Sequence, residues 1–290
     1  MDFMQLLLSP LGFDAVKYLN VLFFLFLFLF WGGNKFTEMS IQSTITDLRD
    51  SVDFDNHYTI THSDFDDFPK LMKDYFATVI ADSSQIPKFV TLYQTGDFKT
   101  EVHAEWKPVT AKQYYTTEKP NFLWNSEMRA SKYFWVNAVD SYLSGKGNML
   151  IKLNSSITVA DSWGIELDKS GLFRYISEAV FFPSSLLPNE KLQWSILDSN
   201  IAEIKFSDRE NSVVAKLFFS EDNTIEKIET YDKYRALEEG YEKSLYTVYY
   251  SKYKMIDDLF IVPTHAEVEW DLKTGKFLYG KFDINKIIYE

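Results

Sequence analysis

Two patterns of apolar and polar residues divide the chain. Residues 21–31, VLFFLFLFLFW, are eleven apolar residues without a break, six of them aromatic, whereas beyond Phe89 apolar and polar residues alternate in short stretches separated by turn signals. A helix that spans a bilayer needs about 20 mostly apolar residues. Between Tyr18 and Gly33 only Asn20 is strongly polar, Tyr18 and Trp31 border the run as interfacial aromatics do, and Lys17 stands where a long side chain snorkels. The first 16 residues carry Asp2 and Asp14 but no lysine or arginine, unlike the basic start of a secretory signal, and WGGNKF has no A-x-A site. Residues 1–36 are therefore expected to be a retained membrane anchor, with a cleaved signal as the competing reading. A strand is disfavoured by the length and lack of alternation. Lys17 on one side faces Lys35 and Arg49 on the other, so charge barely selects an orientation.

Residues 37–62 are polar and mixed and read as a stalk. Ser63 and Asp64 then cap an amphipathic helix over 64–81, with Phe68, Leu71, Met72, Tyr75, Phe76 and Val79 at spacings of three and four. It introduces a β-rich domain over 63–290. FKTEVHAEW (98–106) and AEVEWDL (266–272) alternate strictly, and NFLWNSE, YFWVNAVD, MLIKL, IAEIKF, SLYTVYY and KFLYGKF do so more loosely. TGD (95–97), SGKGN (144–148), EDN (221–223) and KTG (273–275) read as turns. Roughly ten one-faced strands with short links predict a mainly β fold, a curved antiparallel half-barrel or open barrel. The helix in SGLFRYISEAVFFPSSLLP (170–188) is expected to cover its open side.

Composition narrows the function. Thirty lysines and arginines against 42 aspartates and glutamates give a net charge of −12 without a basic run, which argues against nucleic-acid binding. Cysteine is absent, so disulfides and thiolate chemistry are excluded. The histidines His57, His62, His103 and His265 show no ligand spacing, so neither a metal nor a cofactor is expected. SGKGN lacks the spacing of a phosphate loop and sits between strands, Asn154 begins a lone N-S-S glycosylation sequon, and no G-x-S-x-G elbow occurs. Arg174 and Glu178, four apart on one helix face, together with Asp140 before the SGKG turn, form the polar candidate site, read either as Arg174 gripping an anionic head group with Glu178 and Asp140 setting its orientation or as a surface or interface ion pair. Trp106, Trp124, Trp135, Phe122 and Tyr142 are its candidate aromatic lining, drawn from a set most of which should be core.

Several stretches in order, LYQTGDFKTEVHAEWKPVTAKQYYTTEKPNFLWNSEM, DSYLSGKGNMLIKL, GLFRYISEAVFFPSSLLP and LQWSILDSNIAEIKF, resemble a family of uncharacterised bacterial proteins known as a domain of unknown function. The resemblance covers about residues 86–280 and rests on W-x-P at Trp106, P-x-F-x-W at Pro120, G-x-G-x-M at Gly145 and R-Y-x-x-E at Arg174. It supplies no activity. Members that look secreted or membrane-attached imply a single-pass protein of a bacterial cytoplasmic membrane, with the β domain outside the cytoplasm. In general shape the expected sheet is similar to periplasmic lipoprotein-carrier half-barrels, an analogy of fold without a shared motif. The leading expectation is non-catalytic binding of a lipid or other apolar ligand at the bilayer. The alternatives are an enzyme acting on a lipid or envelope polymer through Asp140, Glu178 and Arg174, and a structural or assembly module.

Overall fold

A computed structural model describes residues 10–129, 131 and 133–290, without the side chains of residues 10–16, 22, 23 and 25–30. Helix α1 (Pro10–Asp50) contains the whole apolar run. Among the described residues no helix is long and apolar enough to cross a membrane. The expected anchor, however, falls largely on residues 1–9 and on the side chains outside that description.

The expected stalk is corrected over its first half. Residues 37–50 continue α1, and Ile41, Ile45, Leu48 and Val52 pack with Phe89, Leu123 and Val139 on the outer face of the sheet. Ile41, Ile45 and Leu48 are separated by four and three residues, a helical stripe diluted by the polar residues between its members and extended by Val52 just beyond the helix end. Lys152 Nζ donates to Thr37 Oγ1 at 2.8 Å, and Arg49 forms a two-pronged pair with Glu290 at 2.7 and 2.8 Å.

After α1 comes β1 (Thr59–Ile60), then a single 3₁₀ turn, His62–Phe65. The introductory helix, α2 (Lys70–Val79), begins later than expected, because Pro69 sits at its N-cap, where a missing N–H costs nothing. It buries Leu71, Met72, Tyr75, Phe76 and Val79 and leads to β2 (Ser84–Gln85), which pairs with β1.

A meander follows: β3 (Phe89–Phe98), β4 (Lys107–Thr116), β5 (Asn121–Arg129), β6 (Trp135–Leu143), β7 (Lys146–Leu153) and β8 (Ile157–Trp163). Helix α3 (Ile165–Glu178) interrupts it and ends in short 3₁₀ turns at Ala179–Phe181 and Pro183–Leu186. The second meander is β9 (Leu192–Asp198), β10 (Ile201–Asp208), β11 (Asn211–Phe219), β12 (Ile225–Thr230), the small β13 (Tyr234–Ala236) and β14 (Tyr241–Lys243), β15 (Leu245–Ile256), β16 (Phe260–Leu272) and β17 (Gly275–Tyr289). Thirteen strands form one antiparallel sheet in the order β8-β7-β6-β5-β4-β3-β17-β16-β15-β12-β11-β10-β9. Two wings of near neighbours are thus joined where β3 pairs with β17. The sheet curves around α3, which touches β6, β7 and β8 on one wing and β11 on the other.

Two local expectations fail. Residues 99–106 of FKTEVHAEW form a loop rather than a strand, although their alternation is strict. TGD lies inside β3, paired across to β17 and β4, instead of making a turn. Both errors place the end of β3 wrongly, since alternation records which face is wet and not whether a neighbouring strand is present. SGKGN, EDN and KTG do turn the chain between consecutive strands.

Candidate functional site

The inner face of the first wing is set by register. One row across it reads Leu92, Gln113, Trp124, Asp140, Met149, and the next reads Val90, Tyr115, Phe122, Tyr142, Gly147. Because alternate residues share a face, Asp140 and Trp124 look inward together with Gln113.

Helix α3 lies over these rows. Its first turn is fixed by Asp168, which accepts from Gly147 N at 2.7 Å and Lys146 Nζ at 2.9 Å, and a carboxylate suits that end of a helix. The contact is so close that a Cβ on Gly147 would stand 2.1 Å from Leu167 O, and one on Gly171 would stand 2.9 Å from Tyr142 Cδ2. The G-x-G motif therefore serves to seat the helix on the sheet.

So seated, α3 brings the three polar candidates together. Arg174 Nη1 donates to Asp140 Oδ2 at 2.6 Å and its Nε to Glu178 Oε1 at 3.1 Å. Glu178 Oε2 also accepts from Gln113 Nε2 at 2.6 Å and Tyr115 OH at 3.0 Å. The guanidinium stacks 4.7 Å from the Trp124 ring and 5.2 Å from Phe122, while Trp124 Nε1 donates to Gln94 Oε1 at 3.0 Å. Burial opposes the charge of Arg174, but Glu178 and Asp140 more than compensate and its pKa is raised. Burial, with Glu178 beside it, pushes the Tyr115 phenol well up. The side chains of Arg174, Asp140 and Glu178 remain 17, 15 and 16% exposed, so solvent reaches a cluster walled by aromatics. Phe98, Met128, Met149, Tyr279 and Phe282 are only partly buried around the core.

The aromatic candidates separate. Trp124 and Phe122 are in the cluster. Tyr142 is fully buried on the same face but donates to Asp208 Oδ2 at 3.0 Å, bracing the two wings away from the cluster. Trp135 has the parity of Asn137 and Val139 and faces outward, its Nε1 donating to Ser155 Oγ at 3.1 Å. Trp106 lies in the loop before β4, with Lys99 and Lys281 at 4.7 and 5.4 Å from its ring.

Four participants have no signature in the sequence. Gln113 is a lone amide in an alternating strand. Tyr246 and Tyr279 share a hydroxyl–hydroxyl bond of 3.0 Å, and burial raises the pKa of both, Tyr279 to about 12. Lys233, before β13, sits 5.2 Å from the Tyr246 ring, and burial lowers its pKa to about 8 although Asp140 and Glu178 pull the other way. No repeat pattern marks a loop lysine, so only the fold finds it.

Elsewhere, a cavity of about 570 Å³ is bordered by Tyr249, Lys252, His265 and Glu267, and His265 Nδ1 there pairs with Asp283 Oδ1 at 2.7 Å. A second, of about 730 Å³, opens between α1 and the outer face, lined largely by amides and hydroxyls such as Asn34, Gln42, Asn125 and Asn137.

Among known proteins, a family described as a family of unknown function (DUF6544) matches residues 58–282. No curated protein matches. A putative outer membrane lipoprotein-sorting protein domain from Vibrio parahaemolyticus is similar at a TM-score of 0.42 and 14% identity, over 70% of this chain and 85% of that one. A DUF1329 family protein from Desulfovibrio piger is similar at a TM-score of 0.42 and 12% identity, over 70% of this chain and 86% of that one.

Proposed function

Since the chain belongs to the family of unknown function DUF6544, which brings no activity with it, we propose from the site alone that it binds an amphiphile non-catalytically within the curve of its sheet. The observation that carries this reading is a solvent-reachable ionic cluster, Arg174 with Asp140 and Glu178, set among apolar and aromatic walls. Such a surface offers an acyl chain apolar area and its head group a polar end. The protein is tethered to a bacterial cytoplasmic membrane by residues 1–36 and works at the bilayer surface, its β domain outside the cytoplasm. The apolar run and its aromatic borders support the tether.

Of the two readings of Arg174, head-group grip and ion pair, its contacts favour the second. Its Nε and Nη1 already serve Glu178 and Asp140, and Nη2 lies 3.4 Å from Gln113 Oε1, so it organises the cleft more than it grips a ligand. Convergence of Asp140, Glu178 and Arg174 also meets the geometric requirement of the enzyme alternative. Against it, Arg174 already engages both carboxylates, and Glu178 accepts from Gln113 and Tyr115 as well.

Native mass spectrometry of the full chain released from membranes, before and after organic extraction, tests the reading. A retained lipid that Trp124→Ala weakens and Trp106→Ala leaves alone is the expected result. A chain that carries no lipid, and to which added lipid does not bind, overturns it.

A further inference from the structure

We propose that Lys233 is the head-group contact of this cleft, and that the amphiphile it takes carries a single negative charge on oxygen. The inference rests on the amphiphile-binding reading and names its ligand class.

The neighbours of Lys233 are tied down on both sides. Asp232 Oδ2 accepts from Val214 N at 2.9 Å, and Tyr234 N donates to Ser170 Oγ on α3 at 3.0 Å, one turn before Arg174. Lys233 itself is not tied. Among the described residues its ammonium has only the Tyr246 ring, at 5.2 Å, and no hydrogen-bond partner. An ammonium has three donors, and leaving them without acceptors in a half-buried place is costly.

The surrounding groups explain what is missing. Facing Lys233 are Asp140 from β6, Arg174 and Glu178 from α3, Tyr246 from β15 and, hydrogen-bonded to it, Tyr279 from β17. On its own segment Asp232 is engaged by Lys243 at 3.2 Å, and Arg235 by Glu242 at 3.2 Å. Two tyrosine hydroxyls bonded to each other use one O–H and leave the other free to donate. The cluster therefore keeps unused donors on the Lys233 ammonium and on one of the paired tyrosine hydroxyls, and among the described residues no acceptor is hydrogen-bonded to Lys233. An oxyanion on an acyl chain fits both: one charge for Lys233 and a second oxygen for the tyrosine pair. A fatty carboxylate and the phosphodiester of a lysophospholipid share this chemistry.

The test uses the full chain in nanodiscs and photo-crosslinking probes that carry a diazirine on the acyl chain: hexadecanoic acid, its methyl ester, and lysophosphatidylglycerol. Crosslinks are mapped by mass spectrometry between pH 6 and 10. The expected result is labelling of cleft residues by one or both anionic probes at least ~5-fold above the ester, falling as pH rises through about 8, where Lys233 loses its proton. Which anionic probe labels better identifies the head group. Lys233→Met abolishes the preference. Lys233→Arg, which folds with the same charge, keeps the preference and removes the loss near pH 8. Equal labelling of the cleft by acid and ester, unchanged in Lys233→Met, overturns the role of Lys233 and leaves amphiphile binding standing. Absence of cleft labelling by all three probes overturns both.

Discussion

Arg174 Nη1 stands 2.6 Å from Asp140 Oδ2, and that bond ties the covering helix to the inner face of the sheet. Replacing Arg174 with Met leaves two carboxylates facing each other without their cation. Removing one side of a largely buried ion pair costs about 3–5 kcal/mol. Denaturant unfolding should show that loss, and the triple variant Arg174→Met, Asp140→Asn, Glu178→Gln should recover a substantial part of it. Equal stability of the single variant and the parent would mean that the cluster is dispensable for the fold.

Gly147→Ala places a methyl group 2.1 Å from Leu167 O, a backbone atom that cannot swing aside. The expected cost is about 1–3 kcal/mol, as for other overpacked sites. A lowered melting temperature is the readout, and no change would show that α3 can lift from the sheet freely.

Arg49 holds the Glu290 carboxyl below the usual range through its hydrogen bonds and charge. The folded pKa is depressed, so the stabilisation is present above the unfolded value of about 4.3 and is lost as pH falls through the lower folded value. Side chains 48 and 31% exposed keep solvent screening strong, which limits the pair to about 0.2–1 kcal/mol. A double-mutant cycle with Arg49→Met and Glu290→Gln should give that coupling at pH 7, and none at pH 2 or in molar salt.

Leu48→Ala removes a buried side chain from the stripe of α1 that covers the outer face, at a cost of about 2–4 kcal/mol. Deleting residues 37–50 should go further and expose Phe89, Leu123 and Val139. Increased binding of a hydrophobic dye checks this. A deletion variant as stable and as free of dye as the parent would return these residues to the status of a stalk.

Strand β8 is a sheet edge with Ile157, Val159 and Trp163 more than half exposed. Unpaired edges with apolar side chains invite pairing with another chain. Sedimentation should show less self-association for Val159→Lys than for the parent. Identical behaviour of the two would remove the main support for an assembly role.

How much of this was legible beforehand follows from what each pattern encodes. Alternation made the β class and most strands visible, because one face of the sheet is wet for long stretches, as in β11. The stretch SGLFRYISEAVFFPSSLLP likewise marked the covering helix, which spans Ile165–Glu178. Within the site, Arg174 and Glu178 were paired by helix periodicity, and the register of β5 with β6 then placed Asp140 opposite Trp124. The rest depends on contacts between distant segments. Lys233, Tyr246 and Tyr279 join the cluster only through sheet curvature, and Trp106 was misplaced because a loop imitated a strand. The buried stripe of α1 was hidden because Ile41, Ile45 and Leu48 are spread through a polar segment.

The junction of β3 with β17 sets the order in which these parts can come into being. Each wing is built from hairpins between near neighbours, whereas Gly96 must find Phe282 across almost the whole domain. Local hairpins close quickly and distant pairings late. Gln113, Trp124 and Asp140 belong to the early-numbered wing, Lys233, Tyr246 and Tyr279 to the other. A folding intermediate with both wings formed and their seam still open would therefore have much of its secondary structure and none of its cleft, and ligand capture would report completion of the last, slowest pairing.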